Sequence, residues 1–153
     1  MNIISKLANP LIVGNKIKRV LISYDANSLK IKLFINEDDD QNLFFYIYGN
    51  WRFINDGKII NSSSMYPSDY LYESKEKHKI DFNKYCDSTK FLEKVKILQV
   101  ESNIETNDFT IKWDNNVLLE VFCIDPVESY ILYDNLNKVE YKIGYGNITK
   151  SKY

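Results

Sequence analysis

The residues best suited to acid–base, nucleophilic or metal chemistry are few in this chain of 153 residues. Its single histidine, His78, lies among lysines, and its two cysteines, Cys86 and Cys123, are far apart in sequence. A general base needs an orienting partner and a shielded position, and a zinc site needs three or four protein ligands. The sequence also lacks a glycine-rich phosphate loop, a GxSxG elbow and an HExxH motif. We therefore expect no catalytic residue, no cofactor and no metal site, and we interpret His78 as an exposed residue of a polar loop.

A concentrated acidic run lies between two apolar segments and consists of Glu37, Asp38, Asp39 and Asp40. A calcium-binding loop would offer oxygen ligands at alternating positions and a glycine at its sharp turn, and this run has neither. A second interpretation is a decoy surface for a basic active site such as that of a nuclease, because complementary charge steers association. The third interpretation is a solvated hairpin tip. The sequence leaves the last two open.

Tyrosine is the most frequent aromatic residue, with 12 copies beside 8 phenylalanines and 2 tryptophans. Trp113 continues an apolar alternation, so we expect it in the core, and we assign Trp51 at the start of a strand to the core as well. Tyrosine is also enriched at protein interfaces, because it combines contact area with a polar tip. Tyr46 and Tyr48 are the candidate contact tyrosines closest in sequence to the acidic run.

Strict alternation of apolar and polar residues is the clearest pattern in the sequence. Segments 29–35 and 109–114 both place apolar residues at the odd positions and polar residues, lysine among them, at most of the even ones. A period of two is typical of a strand with one buried and one solvated face. Further strand candidates, which turn-forming residues separate, are residues 18–24, 43–48, 51–54, 58–61, 95–100, 118–124, 130–133 and 139–143.

The strand candidates repeat in the same order in two parts of the chain. These two halves cover approximately residues 11–64 and 94–145. Each contains, in order, a strand, a loop, an alternating strand, a turn, an apolar strand and an aromatic strand. The connector, residues 65–93, is charged, and Asp87-Ser88-Thr89 predicts a short helix around residues 88–93. The sequence therefore predicts a mainly β single domain, residues 1–153. Two similar antiparallel meanders would form a sandwich or a barrel-like structure, with a short helix in the connector.

Charge and hydropathy exclude some partners. The net charge is −1, and lysines are spread evenly rather than clustered, which argues against direct nucleic-acid binding. No segment approaches the roughly 18 apolar residues of a membrane span, and the first residues do not form a signal peptide. The expected location is therefore the cytoplasm.

Several strand patterns resemble those of small bacterial immunity proteins of polymorphic toxin and contact-dependent inhibition systems. The residues that carry the resemblance are Trp51-Arg52-Phe53, Gly57-Lys58-Ile59-Ile60, Ser62-Ser63, Asn107-Asp108-Phe109-Thr110-Ile111 and Leu118-Leu119-Glu120-Val121-Phe122. They span about two thirds of the chain, and each is a strand pattern rather than a catalytic motif. The resemblance implies a cytoplasmic protein that binds and neutralises a toxin domain.

Toxin neutralisation by stoichiometric binding is thus the leading functional prediction. Its candidate contact residues are Tyr46 and Tyr48 together with the acidic run, and Glu128 and Asp134 offer an alternative patch in the second half of the chain. A small-molecule-binding β sandwich or barrel with an apolar pocket is the second hypothesis. An enzyme that uses only carboxylates and tyrosines is the third. The sequence does not indicate an oligomeric state.

Overall fold

The strands predicted from alternation are all present in a computed structural model, which describes residues 3–13, 16–37 and 42–153. The helices are α1 (Ile3–Ile12) and α2 (Lys75–Asp87), and short 3-10 turns cover Ser63–Met65, Asp69–Leu71 and Lys90–Lys94. The first five strands are β1 (Arg19–Asp25), β2 (Ser28–Phe34), β3 (Leu43–Ile47), β4 (Asn50–Asn55) and β5 (Lys58–Ser62). The remaining strands are β6 (Ile97–Ser102), β7 (Phe109–Trp113), β8 (Val117–Phe122), β9 (Tyr130–Asp134), β10 (Val139–Gly144) and β11 (Asn147–Lys152).

The described strands form two open antiparallel sheets around a shared core. One sheet has six strands in the order β1-β2-β3-β9-β10-β11, and the other has five in the order β5-β4-β8-β7-β6. The mainly β sandwich predicted from the sequence is therefore confirmed. The barrel-like alternative is wrong for these strands, because neither sheet closes on itself.

The core follows from the period of two. The odd residues of β2 and β7 point between the sheets, and all six are 0% or 1% exposed: Leu29, Ile31, Leu33, Phe109, Ile111 and Trp113. All six belong to one hydrophobic cluster, as the alternation predicts. Trp51 is 2% exposed and belongs to the same cluster.

The two halves of the chain use the same strand order. In the first half, β1–β3 form a meander in the six-stranded sheet, and β4 and β5 then belong to the five-stranded sheet. In the second half, β6–β8 form a meander in the five-stranded sheet, and β9 and β10 then belong to the six-stranded sheet. The register agrees at the central pairs, although the β6–β7 and β4–β5 pairings contain bulges that β1–β2 and β9–β10 lack. Ile31 pairs with Phe45, and Phe45 pairs with Leu132. Ile111 correspondingly pairs with Leu119, and Leu119 pairs with Phe53. We call the β3–β9 and β4–β8 pairings the two equivalent seams.

Each half also begins with a helical segment that covers the edge strand of the other half. Helix α1 lies along β6, where Asn9 Oδ1 accepts a hydrogen bond from the N–H of Val100 at 3.1 Å. The 3-10 turn at Lys90–Lys94 lies along β1, where Glu93 Oε1 accepts from the N–H of Ile22 at 3.0 Å. Ile22 and Val100 occupy equivalent positions, so the same outward-facing N–H is covered in both halves.

The two α-helices and strand β11 are the parts of the fold that the sequence prediction missed. The 3-10 turn at Lys90–Lys94 coincides with the predicted short helix, but α1 and α2 are additional. Helix α1 buries Ile4, Ala8 and Ile12, which lie four residues apart on one face. Helix α2 buries Tyr85 alone and begins at Ser74, whose side chain accepts from the N–H of Lys77 at 3.2 Å. Such a polar helix shows little hydrophobic periodicity, so its sequence pattern resembled a loop.

The connector packs on the end of β5 through a polar and aromatic network. Asn61 Nδ2 donates to the Tyr24 hydroxyl at 3.0 Å and to the backbone oxygen of Tyr85 at 3.0 Å. The Tyr24 hydroxyl also hydrogen-bonds Thr89 Oγ1. Tyr24 lies with its ring centroid 4.9 Å from that of Tyr85 and 5.7 Å from that of Trp51. The network joins the connector to both sheets, because Tyr24 belongs to β1 and Asn61 to β5.

Alkaline pH is expected to weaken this network. Burial raises the pKa of Tyr24 from its usual 10.0 to about 12. A hydroxyl whose pKa is raised on folding contributes stability that is present below its unfolded pKa and is lost as the pH rises through the folded pKa. Stability should therefore fall between pH 10 and 12. Ultraviolet titration should show several late-ionising tyrosines, because burial also raises the pKa of Tyr48 and Tyr85. Tyr24→Phe should lower the amplitude of the late step by one tyrosinate; an unchanged amplitude in that variant would contradict the assignment.

Candidate partner-binding face

The outer surface of the six-stranded sheet carries a stripe of four aromatic side chains, which we call the aromatic face: Phe44, Tyr46, Tyr48 and Tyr133. The rings of Phe44 and Tyr133 stack across the β3–β9 seam with centroids 5.6 Å apart and planes at 21°. Tyr46 lies 6.2 Å from Phe44 and 4.5 Å from Tyr48, measured between ring centroids. Continuous ring contacts of this kind make the stripe one rigid surface rather than separate side chains.

Strand register explains why these rings meet. Leu43, Phe45 and Ile47 of β3 are buried, so the alternating residues between and after them point outward. Phe44 then lies directly opposite Tyr133, because β3 pairs with β9 in that register. None of the described helices packs extensively on this outer surface; the main contact of α1 is with β6. The rings remain half-buried by each other, and Tyr48 is 42% exposed.

Opposite charges flank the aromatic face on its two sides. On the β2 side, Lys30 Nζ lies 4.9 Å from the centre of the Tyr46 ring and 3.2 Å from Asp25 Oδ2. Lys32 Nζ lies 5.4 Å from the centre of the Phe44 ring. On the β10 side, Glu140 lies opposite Tyr133 in the register. A partner would therefore meet an apolar centre with a charged rim, the arrangement typical of protein interfaces.

The hydroxyls of Tyr48 and Tyr133 stay protonated at neutral pH. Burial raises the pKa of Tyr48 to about 12, and the nearby carboxylate of Glu128 adds to the effect. Burial, with Glu140 and Glu128 as the next causes, also raises the pKa of Tyr133. Neutral hydroxyls can donate and accept hydrogen bonds, which is what an interface requires of them.

A corner loop, residues 124–128, extends the aromatic face beyond Tyr48. It carries two exposed aliphatic side chains, Ile124 at 68% and Val127 at 70% exposure. A shallow hollow of about 420 Å³ lies between this loop and Tyr48. Exposed apolar residues beside an aromatic stripe form a continuous surface suited to a protein partner.

Backbone contacts hold the corner loop in place. Asp125 Oδ1 accepts from the N–H groups of Val127 at 2.7 Å and Glu128 at 3.0 Å, and these hydrogen bonds lower the pKa of Asp125. The Ser129 carbonyl accepts from the N–H of Tyr48 at 3.0 Å. Gly144 of β10 lies so close that a Cβ there would be 2.7 Å from the carbonyl oxygen of Asp125. The loop thus fixes Glu128 beside Tyr48.

Of the four predicted contact residues outside the acidic run, three come together and one does not. Tyr46, Tyr48 and Glu128 belong to the aromatic face or its rim. Asp134 is 4% exposed, and its carboxylate accepts hydrogen bonds from the backbone N–H and Nδ2 of Asn137 at 3.2 and 2.7 Å. Asp134 therefore caps the turn between β9 and β10, and we do not include it in the contact surface.

The acidic run is only partly described. Glu37 is exposed just after β2, and Asp38, Asp39 and Asp40 lie outside the described residues. The connection that holds the run joins β3 at Leu43, whereas Tyr48 follows the opposite end of that strand. Tyr48 lies five residue steps beyond Leu43, a distance of about 17 Å along an extended chain. Phe44, rather than Tyr48, is the ring of the face that is nearest the run along β3.

The predicted contact residues did not include Phe44, the lysines at positions 30 and 32, or any residue of the corner loop other than Glu128. One pattern could have indicated the face: residues 43–48 are apolar or aromatic at every position, so a strand there must expose aromatic rings on its outer surface. The meeting of Phe44 and Tyr133 could not be predicted, because it depends on the pairing of β3 with β9.

The groups capable of chemistry have structural roles. Burial raises the pKa of the Cys123 thiol to about 12, which makes it a poor nucleophile at neutral pH. His78 is half-buried rather than exposed as we expected, and its Nε2 lies 2.8 Å from the backbone oxygen of Pro67, joining α2 to the preceding loop. Within the described segments, no group of three or more His, Cys, Asp and Glu side chains has the geometry to hold a metal ion.

Comparisons with protein-family models, with curated proteins and with solved structures found no match to this chain. In the described part of the chain, the helices lack the length and apolar character needed to cross a membrane.

Proposed function

We propose that this protein is an immunity protein that neutralises a toxin domain by stoichiometric binding, with the aromatic face as its contact surface. The observation that carries the proposal is a difference between the two equivalent seams. The fold repeats, but most of the aromatic stripe does not: the positions equivalent to Phe44 and Tyr133 are Leu118 and Ile54, and only the position equivalent to Tyr48 is also aromatic, as Phe122. The repeated topology therefore forms with aliphatic side chains at the position of the stacked rings, and we interpret the rings as contact residues for a partner.

The second seam shows what the fold alone requires. There, Arg52 and Glu120 face each other on the outer surface with Nε and Oε2 2.6 Å apart. Their equivalents in the six-stranded sheet are Ile131 and Tyr46. At these two positions the five-stranded sheet carries an ion pair on its outer surface. The six-stranded sheet carries an aliphatic and an aromatic residue there, and aromatic residues are enriched at binding interfaces.

The interior of the sandwich favours surface binding over the small-molecule hypothesis. The space between the sheets is filled by large side chains that are at most 2% exposed: Trp51, Trp113, Tyr130, Phe45, Phe53 and Phe109. A ligand pocket between the sheets would need part of that volume. The hollows around the face and the corner loop are shallow, which suits a protein partner better than a small molecule.

The expected partner is a toxin domain, and a basic nuclease is one such class. A standard interface buries about 800 Å² on each partner, more than a hairpin tip can supply. The aromatic face and the corner loop together would give the contact area. The acidic residues 37–40 would then steer a basic domain toward the face without forming its centre.

Truncating two rings of the face is expected to abolish tight binding. The test uses the C-terminal domain of the large secreted protein expected to be encoded beside this chain, co-expressed in a bacterial host and titrated by calorimetry. The intact chain should restore growth and bind in a 1:1 ratio. Because interface tyrosines that act as hot spots contribute about 2 kcal/mol each, the Tyr46→Ala/Tyr133→Ala variant should bind at least ~100-fold more weakly.

Phe122→Ala is the matched control, because Phe122 is a half-buried ring on the outer surface of the other sheet. This variant should bind within about threefold of the unmodified chain, since isolated contacts outside a hot-spot region contribute little. If Phe122→Ala lost binding while the Tyr46→Ala/Tyr133→Ala variant kept it, the contact would lie on the five-stranded sheet, and the assignment to the aromatic face would be wrong. A neighbouring domain that is neither toxic nor bound would contradict the immunity function itself.

A further inference from the structure

Strand β11 is a sheet edge that no other described element covers. It pairs with β10 on one side, and all six of its residues are exposed. An uncovered edge presents unpaired N–H and C=O groups to which another extended chain can bind. The two lysines of β11, Lys150 and Lys152, are a usual protection of an edge against non-specific pairing, and they also restrict which extended chain can bind there.

The other three sheet edges are covered at least in part. Asn9 of α1 accepts from the N–H of Val100 on β6, and Glu93 accepts from the N–H of Ile22 on β1. On β5, the Tyr85 hydroxyl of α2 donates to the carbonyl oxygen of Ser62 at 3.2 Å. The protein therefore protects these three edges with side chains from neighbouring elements. On β11, Asn107 Nδ2 donates to the carbonyl oxygen of Asn147 at 3.4 Å, and the outward backbone groups of the residues that follow have no such partner in the described segments.

The register shows which backbone groups of β11 face outward. The N–H of Tyr153 donates to the carbonyl of Lys138 at 3.1 Å, which makes these two residues a hydrogen-bonded pair. In an antiparallel ladder such pairs alternate with pairs whose N–H and C=O groups point away from each other. Thr149 and Ser151 therefore bond to β10. The N–H and C=O groups of Ile148, Lys150 and Lys152 point outward from the sheet.

The charges along this edge select the kind of chain that can bind. Lys150 and Lys152 belong to the outward-facing set, and neither forms an ion pair with a described carboxylate. Lys138 lies at the same end of the hairpin, where it pairs in register with Tyr153. Two copies of β11 would bring these lysines together, and like charges disfavour such a pair. An extended segment with carboxylates at alternate positions would instead face them with opposite charge.

We propose that the outer edge of β11 binds an extended acidic segment of a partner protein, which adds to the six-stranded sheet as a further strand. Backbone hydrogen bonds to Ile148, Lys150 and Lys152 would supply the pairing, and the two lysines would select acidic side chains. The outer edge of β11 lies two strands away from β9, although Tyr153 just beyond β11 contacts Tyr133 of the aromatic face with ring centroids 6.2 Å apart. Edge pairing uses backbone groups that the aromatic face does not need, so it can exist whether or not the toxin proposal is correct.

An acidic peptide provides the direct test. The isotope-labelled protein is titrated with a peptide of about eight residues that alternates threonine and glutamate, and backbone amides are followed by NMR and hydrogen exchange. The amides of Ile148, Lys150 and Lys152 should shift and exchange at least about fivefold more slowly, because they become hydrogen-bonded. The same peptide with its backbone N-methylated at alternate residues keeps its charge and should produce no slowing.

Two variants separate backbone pairing from charge. Ile148→Pro removes an outward N–H without changing charge or the ladder to β10, and it should weaken peptide binding at least about fivefold. Lys150→Glu/Lys152→Glu leaves the backbone intact and should prefer a threonine–lysine peptide to the acidic one. Any of three results would overturn the proposal: no response to the acidic peptide, equal slowing by the N-methylated peptide, or peptide-free protection of these amides that grows with protein concentration.

Discussion

Trp113→Ala should lower the free energy of unfolding by about 3–5 kcal/mol, the cost of removing a large aromatic side chain from a packed core. Trp113 is 0% exposed on β7, and its ring centroid lies 5.9 Å from that of Phe53. Total stabilities of domains are about 5–15 kcal/mol, so this single change removes a large part of the total. Urea denaturation should show a lower midpoint with an unchanged slope.

Trp113→Phe is the informative control. The Trp113 Nε1–H is buried without a hydrogen-bond partner among the described residues, so its removal sacrifices no hydrogen bond. The phenyl ring keeps much of the packing, and the loss should be about 1–2 kcal/mol. If Trp113→Ala costs less than about 1 kcal/mol, the inward register of β7 is wrong.

The strands could be predicted because their burial follows a local rule. In residues 29–33 of β2 and throughout β7 each apolar residue is separated from the next by a polar one, and the period alone identifies the buried face. Strand β11 has the sequence Asn-Ile-Thr-Lys-Ser-Lys, which offers a single apolar residue, and so it gave no such pattern. Its existence depends on pairing with β10 rather than on its own composition.

The aromatic face depends on a contact between the halves of the chain. The alternation in residues 43–48 places three rings on one side of β3, which is a local property. Tyr133 joins them because β3 and β9 are neighbours, and they come from different halves. Sequence alternation carries no information about which strands pair across the halves, so the candidate tyrosines could be named but not assembled.

The two equivalent seams share buried apolar residues on their inner side and differ in the residues on their outer side. Positions shared by both halves, such as Phe45 and Leu119, are both buried and apolar, and they serve the core. Positions that differ, such as Tyr46 and Glu120, lie on the outer surfaces. The repeated topology therefore forms with either an aromatic or a charged residue at this outer position, whereas the inner position is apolar in both halves.

Gly144→Ala should cost about 3 kcal/mol and should also disturb the candidate contact surface. The added Cβ would lie 2.7 Å from the Asp125 carbonyl oxygen and 2.7 Å from both the carbonyl carbon and oxygen of Pro126. These are backbone atoms, so no side chain can rotate to relieve the clash, and the corner loop must move away from β10. Overpacking of this kind typically costs about 1–3 kcal/mol, and a contact with three backbone atoms belongs at the upper end.

Gly57→Ala is the matched control, since Gly57 lies in the β4–β5 turn with φ +75°, and an added Cβ there would have no described atom within 4 Å. It should cost only about 1–2 kcal/mol, the strain of a left-handed residue that gains a Cβ. Chemical denaturation measures both costs. Amide shifts of Tyr48 and Glu128 should change in Gly144→Ala and stay constant in Gly57→Ala, because only the first change displaces the loop that holds Glu128 beside Tyr48. Equal costs with unchanged shifts would mean that the corner loop does not depend on Gly144.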